Sequence, residues 1–130
     1  MSKFISSIHH VAIICSDYEK SKYFYSQILE FKIIHEAYRK ERMSYKLDLA
    51  VNDNIQIELF SFPNPPLRPS TPEAQGLRHL AFLVADLDES IAQLARHGVT
   101  CEDIRIDEFT LRRFTFFKDP DGLPLDLYEE

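Results

Sequence analysis

No stretch of this sequence approaches the roughly 18 apolar residues that a helical membrane span requires, so the chain is not expected to cross a bilayer. The opening Met1-Ser2-Lys3-Phe4 lacks the long apolar region of a secretory signal, which points to a cytoplasmic protein. Basic charge is also scarce. The net charge is -6 and no stripe of Lys and Arg stands out. Nucleic acid is therefore an unpromising partner, because phosphate neutralisation depends on clustered cations. There are only two cysteines, Cys15 and Cys101. In a cytoplasmic chain they read as buried or half-buried thiols rather than as a disulfide or a catalytic thiol.

What is present is an ordinary globular composition. The chain has 130 residues, 45% of them apolar and 28% charged, which is enough to bury a core of its own. Within it one pattern occurs twice. Ile8-His9-His10-Val11-Ala12-Ile13 is matched by Leu77-Arg78-His79-Leu80-Ala81-Phe82. With His79 placed on His10, 69 positions apart, Ala81 falls on Ala12, Asp86 on Asp17 and Ser90 on Ser21. We read this as an internal duplication.

The elements follow the same order in each half. Ile8 to Cys15 is an apolar, β-branched run and predicts a buried strand. Ser16 with Glu19, or Asp17, opens a helix that runs to about Leu29. Strands follow over Phe31 to Tyr38, Ser44 to Val51 and Ile55 to Phe60, with Asn52-Asp53-Asn54 as a turn. Five of the seven prolines then fall between Phe62 and Pro72, so neither a helix nor a ladder passes through. In the second half Leu77 to Ala85 predicts a strand, and Asp86 with Glu89 caps a helix that stops at Gly98. Strands are predicted over Val99 to Asp107, Arg112 to Lys118 and Leu123 to Glu129, with a turn at Asp119-Pro120-Asp121-Gly122. The expected organisation is one domain of two repeats: module one over residues 5–62, a connector over 63–76 and module two over 77–130.

The duplication carries chemistry. Ile57-Glu58-Leu59-Phe60 matches Leu125-Asp126-Leu127-Tyr128 at an offset of 68. Each half thus has a histidine on its first strand and a carboxylate on its last: His10 with Glu58, and His79 with Asp126. A lone histidine in an apolar strand is usually a core residue, and a lone acid on a strand usually faces water. A pair repeated at matched positions is better explained as ligands. Two imidazoles and two carboxylates suit Zn, Ni, Co, Mn or Fe(II). Ala12 and Ala81, on the same faces, leave room beside an ion. His9 is expected to point away from His10 and to be structural, and His35 and His97 to be surface residues. Alternation sets Lys46, Asp48, Phe114 and Phe116 on one face as pocket lining. Arg39, Arg42 and Arg113 are candidate anion-binding residues, though each also reads as a surface charge. Glu130 is a weak substitute for Asp126, while Glu129 points away.

These pieces together resemble the vicinal oxygen chelate superfamily. The resemblance rests on the two histidine strands, Phe24-Tyr25, Ile57-Glu58-Leu59 and Asp119-Pro120-Asp121-Gly122-Leu123-Pro124-Leu125-Asp126, and so spans nearly the whole chain. It implies an α+β fold of two tandem βαβββ modules forming a cup-shaped mixed sheet around one divalent metal, and a homodimer. Within the superfamily the set His10, Glu58, His79, Asp126 is most similar to glyoxalase I (lactoylglutathione lyase), which has Glu where this chain has Asp126. That implies a lyase or isomerase acting on a small oxygenated substrate of hemithioacetal type through a metal-stabilised enediolate, with Glu58 and Asp126 as the proton-transferring carboxylates. Another superfamily activity such as an epimerase, or a non-catalytic small-molecule binding or resistance protein, stands as the alternative.

Overall fold

A computed structural model describes residues 1–130. The chain divides into two compact units, Met1–Pro66 and Leu67–Glu130. The break falls inside the proline-rich segment, where no regular element forms.

The first unit contains β1 (His10–Cys15), α1 (Tyr18–Tyr23), β2 (Lys32–Arg39), β3 (Ser44–Ala50) and β4 (Gln56–Ser61). Its sheet runs β1-β4-β3-β2, with β1 parallel to β4 and the other pairs antiparallel. Neighbours in register point to the same face. Ile13, Cys15, Ile57, Leu59, Leu47 and Leu49 accordingly share one face, and all are buried. They belong to one core with Tyr18, Ser21, Phe24, Tyr25 and Ile28 of the helical segment. Burying Leu47, Leu49, Ile57 and Leu59 stabilises the unit by roughly 1.5–3 kcal/mol each. The second face carries Ala12, Lys46, Asp48, Glu58 and Phe60.

The helical segment reaches Ile28, as its sequence pattern suggests, but only its first part is α-helical. Asp17, not Ser16, is the N-cap, and its carboxylate accepts from the Lys20 amide at 3.1 Å. After Tyr23 the coil widens to a π-helical turn over Phe24–Ile28. This places Phe24, Tyr25 and Ile28 in the core together.

The second unit repeats the plan with β5 (Leu80–Val84), α2 (Leu87–Arg96), β6 (Arg105–Ile106), β7 (Arg113–Lys118) and β8 (Pro124–Glu129). The sheet runs β5-β8-β7-β6, and β5 is again parallel to β8. Leu125, Leu127, Phe117 and Thr115 are buried on one face, and Leu87 and Leu94 of α2 are buried with them. Asp86 caps α2 by accepting from the Glu89 amide at 3.0 Å. Gly98 follows the helix at φ 76°, the left-handed conformation a helix end favours. The turn before β8 is held by Asp119, whose carboxylate accepts from the amides of Asp121 and Leu123, both at 2.9 Å.

The strand expected over Val99 to Asp107 is reduced to Arg105–Ile106. The physical reason is a slip in register. Arg105 pairs with Phe114, but the Glu102 amide donates to the Phe116 carbonyl, one residue out of step. The ladder cannot run through that irregularity. The Thr115 hydroxyl, donating to the Glu102 carbonyl at 2.6 Å, holds the segment in place of ladder bonds.

Candidate metal-binding residues and a cationic cavity

In the first unit, β1 and β4 bring the histidine and the carboxylate together. Ala12 stands beside Glu58 in the parallel ladder, and His10 is two residues upstream on the same face. His10 Nδ1 lies 3.3 Å from Glu58 Oε2. Glu58 is well covered, with a side chain 13% exposed. Lys46 Nζ sits 3.7 Å from Glu58 Oε1 and 2.6 Å from Asp48 Oδ1. The expected face holding Lys46 and Asp48 is thus the carboxylate's own face.

His9 does not turn away from His10. Its Nδ1 is 2.9 Å from His10 Nδ1, and ligand atoms of His9, His10 and Glu58 all lie within 4.8 Å of one another. Strand alternation does not govern His9, because β1 begins at His10. At that separation one ring nitrogen donates and the other accepts. His35 and His97 are exposed, as expected.

In the second unit the same register recurs. Ala81 stands beside Asp126, and His79 lies two residues upstream of Ala81. His79 Nε2 is 4.0 Å from Asp126 Oδ2, beyond hydrogen-bond range. The Asp126 side chain is only 9% exposed, and its Oδ1 is buried with no hydrogen-bond partner. Burial pushes this carboxyl above the usual range, against the pull of His79 and Arg105. Phe116 is the neighbour of Asp126 on β7, and its ring meets His79 edge-on at 5.1 Å. Phe114 packs edge-on against Phe116.

One contact constrains His79. Arg78 Nη1 lies 3.2 Å from His79 Nδ1. A guanidinium only donates, so Nδ1 accepts and the neutral ring carries its proton on Nε2. Nε2 can serve a metal only once that proton has moved and Arg78 has swung aside.

The donor chemistry of each pair suits a hard or borderline divalent cation. The unpartnered Asp126 Oδ1 is the most direct structural sign, since a buried carboxylate oxygen without a donor is costly. The remaining candidates divide. Arg39 lies over Phe60 at 4.9 Å and donates to Ser44 at 2.9 Å, while its Nε is buried without a partner. Arg113 is already paired within the protein. It is tied to Glu129 and Asp88, each at 2.9 Å, and the Leu87 amide donates to Glu129. Glu129 therefore serves α2 and points away from Asp126, as alternation requires. Cys15 is buried, its thiol donating to the Phe60 carbonyl at 3.3 Å, and Cys101 is half-buried; neither forms a disulfide.

Sequence reasoning missed a cavity of about 410 Å³ in the second unit. Its wall includes His79 and Phe116 together with Arg68, Arg78, Arg105 and Lys118. The connector supplies part of that wall, and a proline-rich segment gives no period from which side-chain direction can be read.

Comparisons with known proteins agree with this architecture. Residues 7–127 match the model of the glyoxalase/bleomycin resistance protein/dioxygenase superfamily. The chain is 60% identical over 126 residues to the uncharacterized protein YwkD of Bacillus subtilis, covering 97% of this chain and 98% of that one. It is 59% identical over 126 residues to the uncharacterized protein YaeR of Escherichia coli, with the same coverage. The crystal structure of a glyoxalase family protein from Enterococcus faecalis superposes with a TM-score of 0.91 at 48% identity, covering 97% of this chain and 99% of that one. Two βαβββ-like modules with mixed four-stranded sheets, each joining its first strand in parallel to its last, complete the case: the chain belongs to the glyoxalase/bleomycin resistance protein/dioxygenase superfamily.

Proposed function

We propose that the protein is a cytoplasmic, metal-dependent lyase or isomerase of glyoxalase type. In this reading His10 with Glu58, and His79 with Asp126, are metal ligands, about one divalent ion is bound per chain, and the working form is a homodimer. The observation that carries the proposal is the unpartnered, buried Oδ1 of Asp126, whose carboxylate lies 4.0 Å from His79, with Asp126 paired to Ala81 in the same register that pairs Glu58 with Ala12. A divalent ion bound there supplies Lewis-acid polarisation of a substrate oxygen, which acidifies the adjacent C–H.

The chain's own groups handle the proton. Glu58, flanked by Lys46 and His10, takes a proton from the substrate carbon. Asp126, the second carboxylate, is pushed above the usual carboxylate range by burial. It is also one methylene shorter than glutamate. A shortfall of about an ångström in reach costs about 10²-fold in rate, so the substrate, a small oxygenated molecule of hemithioacetal type, is expected to turn over about 10²-fold more slowly than with glutamate at this position. An epimerase using the same proton transfer is the second reading, and the short reach of Asp126 is what favours it.

The test has two stages. Metal content is measured after purification without chelator, and about one ion per chain is expected. No ion, and none taken up at micromolar concentration, sinks the proposal. The methylglyoxal–glutathione hemithioacetal is then assayed with each candidate ion. Turnover supports lyase chemistry on that substrate, whereas its absence with every ion removes the glyoxalase reading and leaves the epimerase.

A further inference from the structure

The 410 Å³ cavity of the second unit is within the size range of small-molecule sites. Its charged lining consists of Arg68, Arg78, Arg105 and Lys118 against Glu73 and Glu102, an excess of two positive charges. Two of the cations are already matched. Arg78 Nε pairs with Glu73, and Arg105 Nη2 with Glu102 at 2.7 Å. The excess therefore rests on Arg68 and Lys118.

Arg68 is held but not satisfied. Its Nη2 donates to the carbonyls of Leu77 and Arg78, at 2.5 and 2.9 Å. Its Nε is buried and has no acceptor. Two residues on, the Ser70 hydroxyl is also buried without a partner. Both line the cavity. A cationic N–H and a hydroxyl, both buried without partners on residues that line one cavity, call for an acceptor that the protein itself does not provide.

We propose that this cavity binds a small molecule carrying a doubly charged oxyanion, a phosphate monoester or a dicarboxylate. Arg68 Nε and Ser70 Oγ donate to its oxygens, and Lys118 supplies the second positive charge. A dianion matches the excess of two, whereas a monocarboxylate leaves one cation unpaired. Charge-assisted N–H to oxyanion bonds are the strong ones, and arginine's fork suits them. Phe116 offers the rest of the ligand an apolar wall, and His79 in the same lining brings its far end to the histidine–carboxylate pair. This names a substrate class for the metal-dependent reading and rests on that reading for the chemistry, not for the binding.

The binding is therefore measured on the full-length protein after chelator treatment, by calorimetric titration with inorganic phosphate, succinate and acetate. Metal uptake is measured separately, so its failure does not blur this result. Phosphate or succinate is expected to bind, acetate about tenfold more weakly, and binding is expected to fall with added salt. Whichever dianion binds tighter distinguishes phosphate ester from dicarboxylate. Ser70→Ala and Lys118→Met break no side-chain hydrogen bond within the protein, and each is expected to weaken the preferred dianion about fivefold or more. Arg68→Met is expected to abolish binding, with its melting curve checked because Arg68 also ties down the connector. Arg96→Met, on the exposed end of α2, leaves affinity unchanged. The proposal is overturned if neither dianion binds at about 10 mM, or if Ser70→Ala and Lys118→Met both bind as tightly as the parent.

Discussion

The unpartnered oxygen of Asp126 makes an unusual demand: removing it is expected to stabilise the metal-free protein and to destabilise the metal-loaded one. Asp126→Ala deletes a carboxylate whose Oδ1 is buried without a donor. Leaving such a group unsatisfied costs about 1–3 kcal/mol. The deletion opens a void of about one water volume, roughly 30 Å³, and at roughly 24 cal/mol per Å³ this takes back about 0.7 kcal/mol. The net gain without metal is then about 0.5–2 kcal/mol. For a chain of 130 residues, an unfolding entropy of roughly 2.1 cal/mol/K per residue makes each kcal/mol worth about 4 °C. Thermal unfolding in excess chelator should accordingly show the variant melting about 2–8 °C above the parent. With metal at a hundredfold excess over Kd the parent gains about 2.7 kcal/mol, or about 10 °C, and the variant, missing a ligand, gains little. The two melting curves should exchange order when metal is added. A variant that melts lower than the parent in chelator would show that Asp126 is satisfied within the protein, and a metal-induced rise equal to the parent's would show that it is not a ligand.

Other perturbations follow from the same geometry. His79→Ala is expected to abolish tight metal binding, while His9→Ala, which removes the Nδ1 neighbour of His10, should weaken it about 10-fold as loss of a supporting contact does; equal losses by metal titration would make His9 a ligand in its own right. Asp126→Glu restores the longer carboxylate and is expected to raise hemithioacetal turnover by about 10²-fold, and unchanged kcat would refute the argument from reach. Arg78→Leu frees His79 Nδ1 and should speed metal uptake in stopped-flow measurements, with an unchanged rate showing that Arg78 is no obstacle. Glu129 is held down to about 2 by Arg113 and the Leu87 amide, against about 4.3 in an unfolded chain. Its stabilisation is therefore fully present above about pH 4.3 and is lost as pH falls toward about 2. Glu129→Gln should flatten the urea midpoint across that window, and an unchanged slope would discount the pair.

Much of this was legible in the residues because the fold uses short-range rules twice. Alternation told the core face of β3 and β4, with Leu47, Leu49, Ile57 and Leu59, from the face of Glu58, since the side-chain period of a strand is two. Asp86 and Asp119 announced a cap and a turn by local hydrogen bonding that needs no tertiary context. Less was legible where the backbone leaves a regular period. His9 precedes its strand, so no alternation applied to it. The Val99 to Asp107 stretch pairs through only two residues because of a register slip that depends on Thr115 and Phe116 across the sheet. The cavity wall at Arg68 and Ser70 comes from an aperiodic connector, where charge could be counted but not aimed. Arg113 resembled a surface anion receptor because its partners, Asp88 and Glu129, lie far from it in sequence.

The parallel joining of β1 to β4 and of β5 to β8 has a consequence for how the chain acquires its chemistry. In each module the first strand to leave the ribosome waits for the last before it gains its neighbour, so histidine and carboxylate meet only on closing almost the whole module's length of chain. A loop of that size costs entropy that only a completed sheet and its helix repay. No fragment shorter than a module should hold a histidine–carboxylate pair in place. The pairs are thus gauges of module closure, and a truncation or core defect far from any histidine should register first as a loss of ligand geometry.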